Sequence, residues 1–60
     1  MKNIKYIAFG YLDGKLLKSR KFATEQAKDK WCNKFGAQYP EGVVKVMDYE
    51  TWEVCETWAS

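Results

Sequence analysis

The spacing of apolar and polar positions changes character along the chain. Ile4 to Tyr11, IKYIAFGY, alternates with both faces apolar: Ile4, Tyr6, Ala8 and Gly10 on one side, Lys5, Ile7, Phe9 and Tyr11 on the other. That reads as a first strand. Leu12-Asp13-Gly14-Lys15 follows it, and Asp-Gly supplies the two left-handed positions of a type I′ hairpin turn. The return strand is Leu16 to Phe22, where Lys15, Lys18, Arg20 and Lys21 make the segment basic in the manner of an edge strand protected against further pairing.

Period two then gives way to period 3.6. In Thr24 to Gly36, Ala27, Trp31 and Phe35 recur every fourth residue, with Cys32 on the flank and Glu25, Asp29, Lys30 and Asn33 turned away. Thr24 caps the start, Glu25 suits the positive end of the helix dipole, Gly36 offers a left-handed stop, and Pro40 opposes continuation. A helix of about three turns is marginal alone, so Trp31 and Phe35 must lie on a sheet.

After a loop over Ala37 to Gly42, Val43 to Asp48 forms a third strand, Tyr49-Glu50-Thr51 turns the chain, and Trp52 to Trp58 forms a fourth. Alternation puts Trp52, Val54, Glu56 and Trp58 on one side of that last strand, with Trp52 and Val54 facing the helix opposite Val44 and Val46. Met47 and Trp31 read as core. The order is ββαββ, an α+β fold in which a four-stranded sheet carries one helix across one face, over residues 1–60 as a single domain. It resembles the β-grasp arrangement of the immunoglobulin-binding domains of streptococcal protein G. That resemblance implies first and last strands parallel at the sheet centre.

Size and composition narrow the function. Sixty residues sit near the lower limit for folding without metal or disulfides, and ten aromatic residues compensate with area. The net charge of +2 conceals a division: residues 1–34 carry nine Lys or Arg against three acids, a net of +6, while residues 35–60 carry Lys45 against five acids, a net of −4. Cys32 and Cys55 match neither a metal spacing nor a CxxC redox motif and read as reduced and semi-buried. The N-terminus lacks the continuous apolar run of a signal peptide and no segment has the length of a membrane span, so a soluble cytoplasmic protein is expected.

No histidine is present, which removes Ser/His and Cys/His nucleophile pairs and His-containing metal sites. The carboxylates Asp48, Glu50, Glu53 and Glu56 sit on or beside an exposed hairpin rather than in a cleft. An enzyme is not expected, nor is a cofactor or a metal. What remains is binding, through the outer face of the first strand, Ile7, Phe9 and Tyr11, or through the acidic aromatic hairpin, Tyr49, Glu50, Glu53, Glu56 and Trp58. The basic hairpin over residues 15–21 keeps a nucleic-acid reading open, and the doubly apolar first strand keeps open self-association into a homodimer.

A family resemblance points the same way. Short length, an apolar first strand ending in Phe9-Gly10-Tyr11, a charged turn with a basic return strand, Trp31 within the next helix and a terminal strand bearing Cys55 resemble the Dmd antitoxins of T-even bacteriophages. Those proteins neutralise host toxin ribonucleases of the RnlA and LsoA type. The resemblance implies a stoichiometric inhibitor that occludes a host protein in the host cytoplasm, and it carries over no contact residues.

Overall fold

The computed structural model of the chain describes residues 3–59. Four strands and one helix follow in the order β1 (Tyr6–Leu12), β2 (Lys15–Phe22), α1 (Glu25–Gln38), β3 (Val43–Asp48) and β4 (Val54–Ala59). They make the expected α+β architecture. The β1–β2 turn has Asp13 at φ 53° and Gly14 at φ 77°, the two positive values a type I′ hairpin requires.

Strand order within the sheet is β2-β1-β3-β4 and every neighbouring pair is antiparallel. The parallel central pair of first and last strands is therefore absent. Instead β1 lies between β2 and β3, and β4 takes the outer edge. The arrangement follows composition, because β1 and the Val43-Val44-Lys45-Val46-Met47 stretch can bury residues from both faces, while the charged β2 and the polar β4 tolerate an open edge.

The helix begins where its cap predicts, the Thr24 hydroxyl accepting from the Ala27 N–H at 3.3 Å. It passes through Gly36 and ends two residues later, where the Tyr39 N–H donates to the Phe35 carbonyl at 2.8 Å. Aromatic packing accounts for the extra length, since the Phe35 and Tyr39 rings, tilted at 44°, have centroids 4.9 Å apart and hold the last turn. The buried stripe is also rotated from the expected one. Lys28, Cys32 and Phe35 are buried, Trp31 and Tyr39 are partly so, and Ala27 faces solvent.

Under the helix lie Ala8, Phe22, Val44 and Val46. Gly10 completes this surface because the Phe35 ring lies directly on it: a Cβ there would stand 2.5 Å from Phe35 Cε2. Ile7, Phe9, Tyr11 and, in register with Ile7, Met47 point to the opposite face, which no helix covers. Met47 is half-buried there rather than in the core beneath the helix.

The phase of β4 departs from simple alternation. Val46 pairs with Glu56 and Met47 with Val54, leaving Cys55 as the extra residue of a bulge. One added residue exchanges the faces on either side of it. Glu56 and Trp58 therefore point toward the helix, whereas Val54, 53% exposed, shares the open face, and Trp52, 55% exposed, precedes the strand with φ 60°. The expected contact of Trp52 and Val54 with the helix is replaced by that of Glu56 and Trp58.

Candidate functional site

Glu56 meets the helix through Lys28. The Lys28 ammonium donates to Glu56 Oε2, lies 3.1 Å from Asp29 Oδ1 and 3.9 Å from Glu25 Oε1, and stands 5.1 Å over the Tyr6 ring. Its side chain is fully buried. Burial alone pulls the ammonium toward neutrality, but the hydrogen bonds and charges of Glu56 and Asp29 outweigh it and hold the group above the ordinary lysine range. This cluster joins α1 to β4 and to the core. Within it Glu56 is engaged through Oε2.

Two of the acidic hairpin's five candidate residues, Glu56 and Trp58, thus lie on the helix side, with Trp58 packed against the core. The other three, Tyr49, Glu50 and Glu53, belong to the β3–β4 turn. Asp48 organises that turn: its carboxylate accepts from the N–H groups of Glu50 at 2.8 Å and Thr51 at 3.3 Å, its carbonyl accepts from the Trp52 N–H at 2.7 Å, and its own N–H donates to the Glu53 carbonyl at 2.9 Å. Four hydrogen bonds converge on one residue. They fix the loop and present the Trp52 ring to solvent, 5.4 Å from the Tyr49 ring and between the exposed Glu50 and Glu53.

Ile7, Phe9 and Tyr11 adjoin this turn on the helix-free face. The Lys21 ammonium stands 5.5 Å from the Tyr49 ring, and because β1 lies between their strands the pair bridges β1 at Ile7, which is only 8% exposed. Phe9 and Tyr11 stay half-exposed, with Lys45 5.6 Å over the Tyr11 ring. The exposed Leu16 is the β2 partner of Tyr11 and extends the apolar surface to the sheet edge. One continuous surface therefore runs from Trp52 and Tyr49 across Val54 and Phe9 to Tyr11 and Leu16. Sequence reading missed Trp52 because strict alternation assigned it to the core; its exposure follows from the bulge and from the turn that Asp48 ties.

The basic hairpin is likewise divided by strand alternation. Lys18 and Arg20 pair with Gly10 and Ala8 and so lie on the helix side, while Lys21 pairs with Ile7 on the open face.

Cys32 is buried and Cys55 exposed, both as free thiols. Burial pushes the Cys32 thiol up to about 11, which keeps it protonated and unreactive at neutral pH. Among the described residues no group of three His, Cys, Asp or Glu side chains is placed to hold a metal ion, and no helix is long and apolar enough to cross a membrane. Comparisons with protein-family models, curated proteins and solved structures find no match to this chain.

Proposed function

We propose that the chain is a stoichiometric protein inhibitor that occludes a nucleic-acid enzyme of a host cell, such as a toxin ribonuclease, with Trp52 as its anchor. The observation that carries this reading is the Trp52 ring itself. A non-glycine residue at φ 60° costs on the order of 1–2 kcal/mol, and a large aromatic 55% exposed gains little from folding in return. The turn holds an unfavourable backbone to display an apolar ring. Rings of this kind supply most of the affinity in protein interfaces when they enter a pocket on the partner.

The rim gives the partner its chemistry. Glu50 and Glu53 flank Trp52, so the complementary pocket is apolar at its centre and basic at its edge, as on proteins that handle a polyanion. Occlusion needs a rigid surface rather than a catalytic group. The antiparallel sheet behind Phe9, Val54 and the turn supplies that rigidity.

Trp52→Gly separates binding from folding, because glycine accepts the left-handed backbone without strain. Stability should change by no more than about 1 kcal/mol. Tagged native chain should retain one protein near equimolar amount from nuclease-treated bacterial lysate, and the purified partner's nuclease activity should fall linearly to zero at equivalence. The Trp52→Gly chain should retain none of it. Equal retention by both chains, or a captured protein whose activity is untouched, would remove the proposal.

A further inference from the structure

Between the helix and β2 runs an open groove of about 700 Å³ whose walls include Arg20, Phe22, Lys30, Trp31 and Lys34. A smaller depression of about 200 Å³ continues it toward the helix C-terminus between Lys18 and Lys34, again with Arg20 and Trp31 in its wall. Together they form one trough along the seam. No carboxylate lines either part. Among the described residues the ion pairs all belong to Lys28, so Lys18, Arg20, Lys30 and Lys34 have no anionic partner.

The four cations stand in two short rows. Lys30 and Lys34 are one helical turn apart, about 6 Å along the axis, and Lys18 and Arg20 are two residues apart on β2, about 7 Å. Both intervals suit successive phosphates of an extended strand. Between the rows lies Trp31, half-buried, backed by Phe35 at 5.4 Å between ring centroids and by Phe22 at 5.9 Å. Two buried rings hold the indole in place, and its remaining surface lies in the trough.

We infer that this trough is a binding site for single-stranded nucleic acid, with phosphates along the rows Lys18/Arg20 and Lys30/Lys34 and a base stacked on Trp31. An aromatic platform between backbone-tracking cations takes an unpaired strand, because every base has a face to stack and only an unpaired one can present it. A duplex keeps its bases stacked on one another, and a run of Asp or Glu has no ring for the indole. The site lies on the helix side of the sheet, away from Trp52, and is independent of the inhibitor reading.

The test is fluorescence anisotropy of a short labelled single-stranded oligonucleotide of mixed sequence, with tryptophan emission followed in parallel. Four phosphate contacts give a slope of log affinity against log salt of about −3, at roughly −0.7 per contact for single strands. Arg20→Gln/Lys34→Gln should weaken binding at least tenfold at low salt and bring the slope to about −1.4, two contacts having been lost. Trp52→Gly and Trp58→Phe should each bind normally and still show quenching, which leaves Trp31 as the ring on which the base stacks. No binding by the native chain at low salt would overturn the inference. So would an equal loss in Lys5→Gln/Lys45→Gln, whose charges lie on the opposite face, or displacement by polyglutamate or duplex as effective as by single strand.

Discussion

The two flanks of the helix use the same residue type in opposite ways. Toward β4, Lys28 is sealed from solvent among Glu56, Asp29 and the Tyr6 ring. Toward β2, Lys30 and Lys34 stand in an open trough opposite Arg20 and Lys18. What differs is the strand across the seam. β4 brings a carboxylate whose charge compensates the desolvation of an ammonium, and Lys28 is buried; β2 brings further cations, and mutual repulsion with hydration keeps Lys30 and Lys34 in an open trough. One flank serves stability and the other is free to serve a ligand.

The largest test of that contrast is Lys28→Ala. It removes a buried stem and leaves Glu56 facing the core without its cation. Loss of one partner of a buried pair costs roughly 3–5 kcal/mol, and because Glu56 is 36% exposed and can turn toward water, we expect about 2–3 kcal/mol. Domains of this length are stable by only roughly 3–9 kcal/mol, so the urea midpoint should fall steeply. Lys34→Ala, measured beside it, should barely move the midpoint. Equal effects would erase the distinction between the flanks.

Alkaline pH probes the closed flank more gently. The Cys32 thiol is raised by burial from 9.0 to about 11, so between those values the unfolded chain loses its proton first and stability falls as pH rises, by up to about 3 kcal/mol. Lys28 acts in the same direction at higher pH, since its raised value makes its contribution complete below 10.5 and lost above. Melting temperatures should therefore drop from pH 9 upward, with a shallower drop between 9 and 11 in Cys32→Ala. A parallel course for the two chains would show that the thiol is not buried in solution.

The smallest effect belongs to the open flank. Arg20→Gln/Lys34→Gln relieves like-charge repulsion across the trough and should leave stability unchanged or raised, by no more than about 0.5 kcal/mol in thermal unfolding. A loss above 1 kcal/mol would mean that these cations hold the fold together, and the trough would then be part of the structural seam.

Local chemistry was legible where it stayed local. The Asp13-Gly14 turn, the Thr24 cap, the bounds of β3 and the edge position of the charged β2 each depend on residues within a few positions of one another, through backbone sterics, a short side-chain hydrogen bond or uniform composition. The inhibitor candidates Ile7, Phe9 and Tyr11 were placed on one face by alternation alone, and the face is open because one helix covers only one side of a sheet. Trp52 and the β2–α1 trough were not legible in the same way. Lys30 and Lys34 share a helix face in the sequence, but Lys30 reads there as turned away from Trp31, and nothing local brings Arg20 opposite them.

The chain by itself determined its elements, their order, the hairpin turn and the division of charge, since each follows from properties that a residue keeps whatever surrounds it. Only the tertiary structure decided that β3 and not β4 would lie beside β1, that a bulge at Cys55 would turn Glu56 inward and leave Trp52 outside, and that Lys28 would be buried. Those outcomes depend on partners far apart in sequence, as Lys28 and Glu56 are. The stability of a buried charge is a property of the pair and does not belong to either residue alone.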